Sequence, residues 1–115
     1  MTTLIQDYQF GRIVVDGREY RSDVIVLPDR VKADWWRLEG HRLQVADLEH
    51  VLAAAPDVLI VGTGSVGLMR VDHEVTERLK AEGIEVVAAR TREACEEYNR
   101  RCAEERVAAA LHLTC

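Results

Sequence analysis

Two rhythms of apolar and polar positions run along this chain, and their alternation predicts the elements. Residues 58–61, Val-Leu-Ile-Val, are an unbroken apolar run between Pro56-Asp57 and Gly62, as expected for a strand covered on both faces, here the central one. A helical stretch over about residues 72–82 and a second apolar run at 84–89 follow, so this region reads as a βαβ unit. In the first third the pattern is that of strands. Residues 10–15 alternate loosely, Asp16-Gly17 signals a hairpin turn, and residues 18–20 form the returning strand. A run at 24–27 stops at Pro28, and residues 31–38 predict another strand carrying Trp35 and Trp36. Leu48, Val51, Leu52 and Ala55 fall at i, i+3, i+4 and i+7, a first helix with Asp47 near its start. Val71, Val75 and Leu79 stripe a second helix, with Asp72 as N-cap and Gly83 as its stop. A third helix is expected from Thr91, as N-cap, to about Glu105, with Ala94, Cys95, Tyr98 and Cys102 inward, and residues 107–113 close the chain as a strand. The economical architecture is a single α/β domain over residues 1–115: a mixed sheet with an N-terminal β-hairpin region and about three helices packed on it.

Adjacent residues on a strand face opposite ways, so one of Trp35 and Trp36 belongs to the core and the other faces outward. The outward ring either packs beneath a neighbouring loop or serves an interface. His41, in the turn after Gly40, is the most site-like of the histidines and joins the tryptophans as a possible interaction surface. His50, beside Glu49, reads as solvent-exposed, and Glu74 and Glu77 read as a solvated helix face.

The run at 58–61 breaks into Gly62-Thr63-Gly64-Ser65-Val66-Gly67, which spells G-x-G-x-x-G. As a dinucleotide fingerprint it is incomplete. Asp72, the best helix cap, comes five residues after Gly67 and would repel a pyrophosphate, and Arg90 stands near where an acidic ribose ligand is expected. Arginine there suits a 2′-phosphate better than a free ribose. If the two runs are parallel strands with a helical crossover, loop 62–67 and the turn 90–92 share one sheet edge. Backbone N–H groups of Gly62, Gly64 and Ser65, the helix start at Thr91, and the guanidinium groups of Arg90 and Arg92 would then form an anion site. Ser65 lacks the spacing of a nucleophile elbow, and no catalytic residue is expected.

Composition narrows the picture. The chain has 115 residues, 48% of them hydrophobic and 30% charged, with a net charge of -5, which argues against nucleic acid as a partner. No apolar run approaches the ~20 residues that span a bilayer, and the start shows no cationic and then apolar leader, so a cytoplasmic protein without membrane insertion is expected. On a helix, Cys95 and Cys102 would lie ~10.5 Å apart, too far for a disulfide. His112 and Cys115 have metal-ligating chemistry, but no second pair accompanies them, so neither a metal nor a cofactor is expected.

Several segments occur in the order of a known family: residues 11–20 (Gly-Arg-Ile-Val-Val-Asp-Gly-Arg-Glu-Tyr), Asp34-Trp35-Trp36-Arg37 with Gly40-His41, residues 57–64, Thr91 to Asn99 with Ala94 and Tyr98, and residues 106–111. In these pieces the chain resembles the small α/β family of unknown function that includes mitochondrial complex I assembly factor 3 and the adipogenesis-associated domain protein. The resemblance implies a three-layer α/β fold with a central mixed sheet, and members that serve in assembly or regulation through protein contacts. It carries no catalytic residue over. The expected function is therefore a non-enzymatic protein-interaction or assembly module with a protein partner. The alternative is a binder of a phosphorylated small molecule or nucleotide at loop 62–67.

Overall fold

The computed structural model describes residues 3–115. Ten strands and three helices follow one another: β1 Ile5–Gln9, β2 Arg12–Val15, β3 Arg18–Tyr20, β4 Val24–Val26, β5 Val31–Lys32, β6 Arg42–Leu43, a 3-10 turn Val45–Leu48 leading into α1 Glu49–Ala54, β7 Val58–Gly62, β8 Arg70–Val71, α2 His73–Ala81, β9 Glu85–Ala89, α3 Thr91–Arg101 and β10 Val107–Leu111. The main sheet has the order β5-β4-β10-β7-β9. Strands β9, β7 and β10 are parallel, whereas β4 and β5 join antiparallel, so the sheet is mixed as expected.

Alternation along the inner strands divides the core in two. Val58, Ile60, Val107, Ala109 and Leu111 face one side, where they meet Ala94, Cys95 and Tyr98 of α3 and the apolar side of the β1-β2-β3 sheet. Leu59, Val61, Ala108 and Ala110 face the other, against Val51 of α1, Val75 and Leu79 of α2, and Trp35. All five residues of β7 and of β10 are buried, which explains their continuous apolar runs. The result is a three-layer α/β arrangement. No helix among the described residues is long and apolar enough to cross a membrane.

Several local expectations are corrected. The middle position of the main sheet belongs to β10, with β7 beside it. The hairpin is a three-stranded meander, because Ile5–Gln9 adds a strand that sequence reading left out, and Phe10 lies exposed in the turn rather than on a strand. The strand expected over 31–38 stops at Lys32, since Asp34 takes a left-handed conformation (φ 52) that no ladder accommodates. The opposition of the tryptophans nevertheless holds: Trp35 is buried at 3% exposure and Trp36 stands out at 74%. Ala55 falls outside α1, in a left-handed C-cap, and Val71 belongs to β8 rather than to α2. Arg90, not Thr91, occupies the N-cap position of α3, and that helix ends at Arg101 rather than near Glu105. His50 is half-buried, not fully exposed.

Candidate functional site

The register Leu111↔Gly62↔Ala89 sets the C-terminal ends of the three parallel strands side by side. At this edge of an open α/β sheet, ligands are commonly bound. Loop 62–67 and the start of α3 meet here: Thr91 N donates to Gly64 O at 3.1 Å, and Gly64 N donates to Thr91 Oγ1 at 2.9 Å. The same hydroxyl donates to His112 O at 2.6 Å, so Thr91, fully buried, pegs the loop to the residue after β10.

The expected convergence of free amides on an anion is not present. The N–H groups of Gly64 and Thr91 are engaged as described, Ser65 N donates to Thr114 O at 2.6 Å, and Leu68 N donates to Cys115 O at 3.1 Å. Thr114 and Cys115 thus accept from Ser65 and Leu68, while Gly64 and Thr91 are bonded to each other. The glycines serve this close approach. A Cβ on Gly62 would stand 2.9 Å from Thr91 Oγ1 and from Leu111 Cδ2, and one on Gly64 (φ 110) would stand 2.5 Å from the carbonyl of Cys115. Arg92 turns away, its guanidinium donating to Tyr8 O and lying 5.4 Å from the Tyr8 ring centroid. Arg90 alone of the two arginines lies by the loop, its side chain beside Gly67.

At the same edge the fold assembles a cluster that no sequence motif announced. Strand β4 runs antiparallel to β10, so Asp23, just before β4, arrives beside His112 and Leu113, just after β10. Asp23 Oδ2 accepts from His112 Nδ1 at 2.8 Å and from Arg37 Nη2 at 2.7 Å, while Oδ1 accepts from Leu113 N at 2.7 Å. Arg37 reaches in from the loop after β5, with Nε on Gly40 O and its guanidinium 4.7 Å from the Trp35 ring centroid. The side chains of Asp23, Arg37 and His112 are only 10%, 5% and 7% exposed. Burial pushes the Asp23 carboxyl up, but the hydrogen bonds from His112, the Leu113 amide and Arg37 outweigh it and hold the group below its ordinary range. Asp23 thus stays an acceptor and orients the imidazole through Nδ1. Two buried nitrogens here have no partner, Arg37 Nη1 and His112 Nε2. Both side chains line a cavity of about 300 Å³ that Trp36, Arg21 and Ser22 also border. No nucleophilic side chain bonds to the imidazole among the described residues.

His41 packs its ring against this cluster, 5.5 Å from the His112 centroid in an edge-on contact. Sequence reading considered His112 only for metal ligation, and among the described residues no group of three or more His, Cys, Asp or Glu is placed to hold a metal ion. Asp23 was missed outright. The available signal was positional: a histidine directly after a fully apolar strand sits at a sheet edge, and an aspartate directly before an antiparallel neighbour shares that edge.

The three cysteines are free thiols. Burial pushes Cys95 up to about 12, so it is an inert part of the core.

Trp36 also borders a second cavity, of about 310 Å³, with Lys32, Trp35, Leu38, Ala46 and His50. Leu38, at 73% exposure, continues the apolar surface of Trp36. The segment that carries them is pinned from within: Trp35 N donates to Asp23 O, Trp35 Nε1 to Asp47 O, and Leu38 N to Asp47 Oδ1.

Comparison with known proteins gives the family. Residues 5–112 match the family described as "Protein of unknown function (DUF498/DUF598)", and the chain belongs to it. Among solved structures, the conserved hypothetical protein PH1505 from Pyrococcus horikoshii OT3 is 28% identical, with a TM-score of 0.82 and coverage of 96% of this chain and 98% of that one. A protein described as an outer membrane protein from Bartonella henselae is 25% identical, with a TM-score of 0.85 and coverage of 98% and 96%. The Rpa2829 protein from Rhodopseudomonas palustris is 30% identical, with a TM-score of 0.77 and coverage of 94% and 81%.

Proposed function

We propose that this member of a family of unknown function is a non-enzymatic protein-interaction module that serves in the assembly of a larger complex, with Trp36 as its anchor. The observation that carries the reading is the presentation of Trp36. A large aromatic ring and the neighbouring Leu38 stand in solvent on a segment whose backbone is fixed by Asp23 and Asp47. An exposed aromatic on a preorganised backbone loses little conformational freedom on binding, and tryptophans of this kind dominate interface energetics. The resemblance to assembly factors such as complex I assembly factor 3 points the same way. A partner presenting apolar side chains, with polar groups at its rim for Lys32, Asp34 and Glu49, fits this surface.

A phosphorylated ligand at loop 62–67 is the weaker reading. Its support is the adjacency of the loop, Arg90 and the start of α3, but the amides of Gly64, Ser65 and Thr91 already donate within the protein.

A photo-crosslinking residue placed at position 36 in the native cell tests the interaction reading. A discrete protein adduct is expected there and not from the same residue at exposed Arg78 on α2; equal labelling at both positions, or none, overturns it. In the purified protein, Trp36→Ala should change stability by no more than about 0.5 kcal/mol. Trp35→Ala should cost about 3–5 kcal/mol, so loss of an adduct partner in the former is not unfolding.

A further inference from the structure

We propose that the cavity bordered by Arg37, His112 and Trp36 is a binding site for a small organic carboxylate. Three features of the cluster select this class. First, the nitrogens of Arg37 are unevenly used: Nε donates to Gly40 O and Nη2 to Asp23, while Nη1 is buried with no acceptor. Asp23 receives Arg37 through Nη2 alone, together with His112 and the Leu113 amide, and makes no bond to Nη1. An arginine nitrogen only donates, so its missing partner is an oxygen.

Second, His112 lines the same cavity and its Nε2 is also buried and unpartnered, while its Nδ1 is fixed on the Asp23 carboxylate. With Nδ1 held by Asp23, Nε2 is a second buried polar atom of the cluster that lacks a partner. The charged and titratable groups facing this ring are Asp23, Arg37 and, edge-on, His41. Arg37, paired with Asp23, and the more exposed Arg21 are the cations that border the cavity, and they favour a ligand of low negative charge. One unmet guanidinium N–H beside an apolar wall suits a singly charged carboxylate better than the dianionic tetrahedron of a phosphate, which calls for several donors.

Third, the cavity has an apolar wall. Trp36 borders it together with Leu113, and about 300 Å³ holds a ligand of modest size. The carboxylate of such a ligand would meet the polar end, and its hydrocarbon part would lie on the indole. Both orphan nitrogens are covered in the structure, so binding requires a small shift of the groups that lie over them.

The test is an NMR titration of the intact protein with sodium acetate, sodium phenylacetate and inorganic phosphate, with sodium chloride as the ionic control. The His112 imidazole and Arg37 guanidinium resonances are followed. Saturable shifts with acetate are expected, with phenylacetate binding at least several-fold more tightly and Trp36→Ala removing that increment. Arg37→Lys keeps a cation beside Asp23 but removes the planar fork, and should weaken binding roughly tenfold or more. His112→Gln gives a second variant if Arg37→Lys fails to fold, with the same loss expected in the Arg37 signals. No saturable shift with either carboxylate overturns the proposal. So do equal shifts with chloride, a response to phosphate in preference to acetate, or undiminished binding in a folded variant.

Discussion

Loop 62–67 and the Asp23–Arg37–His112 cluster share one sheet edge, yet they answer the question of chemistry in opposite ways. The loop has a recognisable spelling, and the amides of Gly64, Ser65 and Gly67 all close on acceptors within the protein. The cluster has no spelling, since its members stand at positions 23, 37 and 112, and it retains two buried nitrogens without acceptors. A glycine motif reports what the backbone must do locally. Chemical capacity comes from charged side chains that the topology gathers from distant parts of the chain, with unmet hydrogen-bonding needs as its mark.

The largest effect that can test this contrast is at Asp23. Replacing it by Ala removes the acceptor of three buried donors and leaves Arg37 as an unpaired buried cation, so destabilisation of about 3–5 kcal/mol is expected in urea unfolding. The same carboxylate sets an acid dependence. Its folded pKa lies below the unfolded value, so the stabilisation is complete above the ordinary aspartate pKa of about 3.9 and is lost as pH falls through the folded value. An Asp23→Asn protein should therefore show a flatter acid limb of stability than the parent. An unchanged limb would mean that the cluster contributes no linked proton.

Much of the framework was legible in the sequence because it is local. The apolar runs of β7 and β10, the turn at Asp16-Gly17 and the stripe of α3 each declare themselves within a dozen residues, and each is observed. Trp35 and Trp36 were correctly opposed although the strand carrying them was not there. What was illegible is what depends on long-range pairing. Strand β1 is secured by Asn99, which donates to and accepts from Ile5 across 94 positions, and Asp23 meets His112 across 89. The occupation of two loop amides is also long-range, Ser65 N closing on Thr114 O and Gly64 N on Thr91 Oγ1. It turned an inviting anion motif into a closed joint.

Gly64→Ala and Gly67→Ala should separate conformation from crowding within the loop. Both residues have positive φ, a cost of about 1–2 kcal/mol for a side chain. At Gly67 the nearest atoms to a Cβ are 3.5 Å away, so little more is expected. At Gly64 the new methyl would overlap the Cys115 carbonyl, and displacing it should raise the total to about 2–4 kcal/mol. Equal losses at the two glycines would show that residues 112–115 yield easily and that the joint is less closed than its hydrogen bonds indicate.

The smallest effect concerns the link between the two regions. The Thr91 hydroxyl accepts from Gly64 N on the loop side and donates to His112 O on the cluster side, with no exposure to water. Thr91→Val preserves shape but leaves a buried N–H and a buried carbonyl without that partner, an expected loss of about 1–3 kcal/mol. Thr91→Ser keeps the hydroxyl and should lose less. If the peg ties the regions together, Thr91→Val will speed hydrogen exchange at the Gly64 amide and also move the His112 imidazole resonances. A double-mutant cycle with Asp23→Asn would then show a coupling of at least about 0.5 kcal/mol. A response confined to the loop, with additive stability changes, would establish that the motif and the cluster are neighbours at one edge without being mechanically joined.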